Sequence, residues 1–243
     1  MTLLQRLRDG YARIDARYHP VPRRAYEYPI NRYYAHRLDT LLTWVADRLG
    51  CSPNFATALA AVAGVAAAGA LAAHWFIAAA LLIQLHHLLD GVDGNLARSQ
   101  GRCSTVGKRL DQLSDQLVRL ALFVSLALVS HVPGWLAIAM LATLYLDIAL
   151  VAWVITPCAR RRTLIRARWK QWFMDRGLMP GFDIFTLYAL VSLCLLLQAP
   201  ALAVVLVTLL KTLDWSYRLW ECARTNVSAL LTKPGKAARD QVR

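Results

Sequence analysis

Four aspartates fall within a stretch of 26 residues, spaced as Asp90-x2-Asp93 and Asp111-x3-Asp115. On a helix, partners at i,i+3 and i,i+4 share one face, so each pair presents two carboxylates side by side. The segment 99–106 between them is short enough to fold the second face back toward the first. Four carboxylates gathered in one place repel one another unless a cation sits among them. An all-oxygen donor set suits a hard divalent ion, Mg²⁺ or Mn²⁺, and four carboxylates suit two ions better than one. Paired divalent ions neutralise phosphate oxygens and polarise an attacking hydroxyl, so displacement at phosphorus is the chemistry this set would serve. Gly91, Gly94 and Ala97 leave helix faces open beside the carboxylates, room for a nucleotide or pyrophosphate against the backbone, and Arg98 can hold a phosphate oxygen. The plainer alternative pairs the four aspartates with Arg98, Lys108, Arg109 and Arg119 as structural salt bridges. It gives no reason for the fixed spacing of Gly, Ala and Asp.

The whole string, Asp90-x2-Asp93-Gly94-x2-Ala97-Arg98-x8-Gly107-x3-Asp111-x3-Asp115, resembles the signature of the CDP-alcohol phosphatidyltransferase family at every defined position. Pro53-Asn54-x2-Thr57 also resembles that family's Pro-Asn-x-x-Thr, which extends the likeness over residues 53–220. The resemblance implies transfer of a phosphatidyl or related group from a CDP-linked donor, CDP-diacylglycerol favoured, to the hydroxyl of a small alcohol. CMP leaves, in a step of phospholipid biosynthesis. It further implies two divalent metals, a homodimer and a site open to the cytoplasm. Carried over by position, it makes Asp90, Asp93, Asp111 and Asp115 metal ligands, with Asp115 also placed to take the acceptor proton. Gly94, Ala97, Arg98 and Gly107 would line the CDP site. Within the family, the alternative is a CDP-choline or CDP-ethanolamine reaction with diacylglycerol as acceptor. Outside enzymes, intramembrane carboxylates also fit a divalent-cation transporter.

The elements that must position these residues are membrane helices. The 243 residues are 57% hydrophobic yet carry 28 Lys+Arg against 15 Asp+Glu, a net charge of +13, with a mean hydropathy of +0.38. Such a composition disfavours an ordinary soluble enzyme, and its aliphatic and aromatic content excludes a disordered chain. Basic residues between apolar runs read as loops facing anionic lipid, not as a nucleic-acid surface. A spanning helix needs about 20 apolar residues, and six stretches approach this, at 55–73, 75–97, 108–131, 134–156, 182–198 and 200–220. The turns at His74-Trp75, His131-Pro133 and Gln198-Pro200 contain no Lys or Arg, while the opposite connections are basic. Positive charge thus places both termini on the cytoplasmic side, and the resemblance implies that the site opens there too, in an inner or plasma membrane. The expected fold is all-α and polytopic, with six transmembrane helices and an N-terminal amphipathic interfacial helix. Residues 1–50 form the cytoplasmic N-terminal segment, which includes the helix-breaking run Tyr18–Pro22 and that helix, marked by Leu38, Leu41, Leu42, Val45 and Leu49. Residues 51–223 form the six-span domain and 224–243 a cytoplasmic tail. The small residues of the first span, Ala60 to Ala70, predict close helix packing. Five scattered cysteines without ligand spacing read as reduced packing residues, and the N-terminus shows no signal-peptide core.

Other polar residues surround the signature. Arg119 follows Asp115 by one turn and either binds phosphate or neutralises the carboxylates. Lys211, Asp214 and Arg218 sit near the cytoplasmic end of the sixth span. They either complete an anion pocket or pair among themselves. Arg119, Lys211 and Arg218 are therefore the candidates for an acceptor phosphate, favouring a polyol or polyol phosphate. Asp147, inside the fourth span, either contacts Arg119 or the acceptor or, the favoured reading, makes a structural interhelix hydrogen bond, and at least one of His86 and His87 is expected to pack or hydrogen-bond. The basic loop Arg160–Lys170 reads as a clamp on anionic headgroups. Asp183 opens the fifth span, where the family branch using polyol phosphates has Arg-Asp; Phe182 stands in the Arg place.

Overall fold

The computed structural model describes residues 3–18 and 26–231; residues 19–22 of the helix-breaking run and 232–243 of the tail lie outside them. It is built of helices α1 (Leu3–Tyr18), α2 (His36–Arg48), α3 (Pro53–Ala72), α4 (Phe76–Ser99), α5 (Thr105–Val129), α6 (Gly134–Leu150), α7 (Thr156–Arg161), α8 (Arg168–Met174), α9 (Ile184–Leu196) and α10 (Pro200–Leu231). Among the described residues, five helices are long and apolar enough to cross a membrane: α3, α4, α5, α10 and the continuous Gly134–Arg161 segment formed by α6, the π-helical Val151–Ile155 and α7. The sixth expected span is the 13-residue α9. At 1.5 Å per residue it covers about 20 Å, short of the roughly 30 Å hydrocarbon layer. Asp183 caps its start and left-handed Gln198 follows its end, so the apolar run is longer than the helix.

Local chemistry sets the helix ends. Ser52 accepts a hydrogen bond from the Phe55 N–H, Ser104 from Gly107 and Asp183 from Thr186, each an N-cap answering an otherwise orphaned donor. The charge-free turns reverse through left-handed His74, His131 and Gln198, whereas the opposite turns use Gly50, Gly101 and Gly177. After α3, the Trp75 N–H reaches the Ala70 carbonyl at 2.8 Å, closing a Schellman-type end without glycine.

α3 packs along α4 and α5, α4 along α9, and α10 along α6 and α9. Small residues make the first contact possible. A Cβ on Gly64 would meet Val118 Cγ1 at 2.3 Å, so α3 and α5 approach more closely than any side chain permits. The main core gathers Leu71, Ile83, Leu126, Met140, Leu187, Leu195 and Val204, while Val62, Val65, Leu128 and Ile138 face outward. Gln84 on α4 donates to Ser192 on α9 at 2.8 Å, a polar tie within that apolar packing. α2 lies against α4 with Asp39, Thr40 and Thr43 inward, leaving Leu38, Leu41, Val45 and Leu49 uncovered by protein.

Candidate active site

The signature straddles the turn from α4 to α5, and the helices bring its carboxylates together as their spacing predicts. Oxygens of Asp90, Asp93 and Asp111 lie within 4.8 Å of one another. Asp115 stands beside Asp90, one turn beyond Asp111. Among the described residues, no Lys, Arg or His nitrogen comes within 4.0 Å of any of the four. The salt-bridge alternative therefore does not hold: Arg98 instead donates to Asn95 Oδ1 at 2.6 Å. Three clustered carboxylates without a protein cation, and with no sulfur or imidazole ligand among them, fit a hard divalent ion. Asp93 is fixed by Thr57, whose hydroxyl donates to Oδ2 at 2.6 Å.

Two cavities open along α5, and two of the carboxylates, Asp93 and Asp111, line the first. The first, about 540 Å³, is lined by Asp93, Gly94, Ala97, Arg98, Gly107 and Asp111 together with Pro53, Asn54, Thr57 and Lys108. It thus unites every residue assigned to the CDP site. Gly94 makes room for the Arg98 guanidinium, which would stand 3.3 Å from an added Cβ, and Gly107 lies against the capping Ser104 hydroxyl. Gly91 does something else. Its α-carbon faces α2, where a Cβ would meet Asp39 Oδ2 at 2.9 Å, so its smallness serves helix packing and not a nucleotide.

The second cavity, about 390 Å³, is lined by Arg119, Lys211 and Arg218 with Tyr28, Asp147 and Asp183. The three candidate cations do converge, but two of them are already engaged. Lys211 Nζ sits 2.7 Å from Asp147 Oδ2 and 3.6 Å from Asp214, and donates to the Phe182 carbonyl at 2.7 Å. Arg218 holds Asp214 at 2.5 Å and donates to the Tyr28 hydroxyl at 3.3 Å. Burial pushes the Tyr28 phenol up despite Arg218, so it stays neutral. Asp183 caps α9 and receives the Asn31 amide at 3.0 Å. Val151 and Ala152 complete the wall from a π-helical segment, Val151–Ile155, whose extra residue per turn re-aims the side chains that follow α6.

Asp147 makes the expected interhelix bond, as an ion pair. His86 bonds the Ala60 carbonyl at 2.9 Å and His87 stacks on Phe185 at 4.3 Å, both as packing residues. The basic loop departs from expectation at one end. Lys170 is buried in an ion pair with Glu221 at 2.5 Å and does not reach headgroups. Thr57 belongs to the site through its bond to Asp93, and its place in Pro53-Asn54-x2-Thr57 was its only signal. Tyr28 enters the second wall without any spacing that points there, whereas Asp183 does so from its place at the opening of the fifth span.

Among the described residues, five long apolar helices and the shorter α9 carry a carboxylate cluster with no protein cation in contact, which defines a membrane protein built to hold charge. The chain belongs to the CDP-alcohol phosphatidyltransferase family, whose pattern matches residues 51–220, and it is an integral membrane protein. It is 34% identical over 100 residues to the archaetidylinositol phosphate synthase of Aeropyrum pernix, covering 40% of this chain and 52% of that protein. It is 39% identical over 72 residues to the inner membrane protein YnjF of Escherichia coli, covering 28% and 35%. The chain thus spans about half the length of the first of these relatives and less of the second. The crystal structure of Mycobacterium tuberculosis phosphatidylinositol phosphate synthase with CDP-DAG bound has the same fold. Its TM-score is 0.52 at 22% identity, covering 76% of this chain and 94% of that one.

Proposed function

We propose that this protein transfers a phosphatidyl group from a CDP-linked lipid, CDP-diacylglycerol favoured, to the hydroxyl of a polyol or polyol phosphate, releasing CMP. One observation carries the reading: a single face of α5 joins the two cavities. Asp111 lines the first, Arg119 two turns further on lines the second, and Asp115 stands midway. A donor in the first cavity and an acceptor in the second would meet at the carboxylates. The family, the inositol phosphate synthases among the similar proteins, and the CDP-DAG held by the solved mycobacterial enzyme all support these substrate classes.

Asp90, Asp93, Asp111 and Asp115 would hold two divalent ions, Mg²⁺ or Mn²⁺. When bound, such ions neutralise phosphate charge and polarise the acceptor hydroxyl. The chain's own residues do the rest. Gly94, Ala97, Arg98 and Gly107 seat the cytidine diphosphate, and Thr57 keeps Asp93 in one rotamer. The acceptor oxygen bonds to the phosphorus distal to cytidine as the bond to CMP breaks, and its proton passes to the Asp115 carboxylate. Arg119, Lys211 and Arg218 bound the acceptor. The basic connections support a cytoplasmic mouth and cytoplasmic termini, with a domain at 51–223 between an N-terminal segment and a tail. The homodimer that the family resemblance implies is part of this reading.

The test is Asp115→Asn in purified protein. The amide is nearly isosteric and accepts no proton, so donor binding persists while turnover falls about 10²–10⁴-fold. Normal turnover in this variant would remove Asp115 as the base.

A further inference from the structure

The first cavity has two rims that come from separate stretches of chain. One is formed by Pro53, Asn54 and Thr57 at the start of α3, just after the turn Gly50–Ser52; the other by Arg98, Arg102, Cys103 and Ser104 around the turn from α4 to α5. Packing does not hold the second rim, because Gly101 to Ser104 are all exposed. Its own backbone bonds return to α4, from the Gly101 N–H to the Arg98 carbonyl and from the Arg102 N–H to the Ala97 carbonyl. Gln100 precedes this exposed run, at one of the eight positions the signature leaves undefined, and is not among the residues lining the cavity. Its amide nitrogen crosses to the opposite stretch, donating to the Cys51 carbonyl and to Asp47 Oδ1, each at 3.1 Å. Both of its N–H donors are thereby used. Asp47 is held in turn by the buried Tyr18 at the end of α1, whose hydroxyl donates to Oδ2 at 2.5 Å. These two donors, Tyr18 first, keep the Asp47 carboxyl below the usual carboxylate range, so it stays an ionised acceptor and its bonds are of the stronger kind.

We propose that Gln100 positions the CDP-linked donor by fixing the span between the two rims, and that α1 acts through it as a strap. Tyr18 orients Asp47, Asp47 and the Cys51 carbonyl hold Gln100, and Gln100 sets the exposed run bearing Arg102 at a fixed distance from Asn54. All three side chains are positioning residues that need not touch the ligand. The inference rests on the reading of this cavity as the donor site.

The experiment uses the full chain in detergent with saturating Mn²⁺ and titrates CDP by calorimetry, so that no acceptor is needed. Wild type, Gln100→Met, Tyr18→Phe and the double variant are compared. Met keeps the length of Gln without its donors, so the Kd for CDP should rise about 10-fold, the worth of one hydrogen bond to a charged group. Tyr18→Phe removes a hydroxyl outside the cavity lining and should raise the Kd about 3-fold, through Asp47. The double variant should bind no more weakly than Gln100→Met, because residues acting through one network are not additive. Mn²⁺ affinity, read by electron paramagnetic resonance, should be unchanged in every variant, whereas a general loosening of the fold would weaken metal and CDP binding together. Unchanged CDP affinity in either single variant, additive effects in the double variant, or a parallel loss of Mn²⁺ affinity would overturn the assignment. If Gln100→Met does not fold, Tyr18→Phe decides alone. Wild-type protein that binds Mn²⁺ but no CDP would be a different failure, refuting the donor-site reading itself and this inference with it.

Discussion

Thr57→Val removes one hydroxyl and keeps the shape of the side chain, which makes it a sharp probe of how the carboxylates are held. Thr57 donates to Asp93 Oδ2 at 2.6 Å, and Asp93 is only 5% exposed, so solvent cannot readily replace the lost donor. A hydrogen bond to a charged group contributes about 1.5–3 kcal/mol, equivalent to roughly 10–150-fold in an equilibrium constant. Partners behind metal ligands typically alter metal affinity by about 10–100-fold, which agrees. Without its donor, Asp93 is free to leave the rotamer that faces Asp90 and Asp111. The variant should therefore bind Mn²⁺ about 10–100-fold more weakly, read directly by electron paramagnetic resonance. CMP release should show the same shift in half-saturating Mn²⁺ and recover most of its maximal rate when the metal is in excess. Unchanged Mn²⁺ affinity in a folded variant would refute the assignment of Asp93 as a ligand oriented by Thr57.

Gly64→Ala should lower the unfolding midpoint in detergent, since its Cβ would overlap Val118 Cγ1 and overpacking costs about 1–3 kcal/mol. Adding Val118→Ala should restore much of the loss, and an additive double mutant would contradict the contact. Lys170→Met should destabilise by about 3–5 kcal/mol because it strands Glu221 in a buried site. Pairing it with Glu221→Leu should recover stability; equal stability of Lys170→Met and the parent would show the pair to be solvated.

The sequence carried the carboxylate cluster because the spacing of each pair lies within one helix turn, where i,i+3 and i,i+4 geometry follows from the backbone alone. It carried the helices for the same reason, since apolar length reads directly as span. What it did not carry are contacts between distant segments. Thr57 meets Asp93 across 36 residues, and Lys211 meets Asp147 across two helices, so the apparent excess of cations near the acceptor disappears only in three dimensions. Gly91 shows the same limit. Its smallness is visible in the sequence, but only the packing of α2 reveals that Asp39 takes the space. Lys170 belongs to a basic run by position and to a buried pair by fold. The short α9 differs because a cap and a left-handed turn cut the helix inside its apolar run.

The most direct measurement is acceptor-dependent release of CMP from CDP-diacylglycerol by the purified protein, with the new phospholipid quantified by mass spectrometry in the same sample. The account predicts one phospholipid formed for each CMP, none in excess chelator, recovery with Mg²⁺ or Mn²⁺ and poor recovery with Zn²⁺, as an all-carboxylate site requires. CMP release that continues after verified metal removal, or divalent-cation flux through reconstituted vesicles with no phospholipid formed, would contradict it.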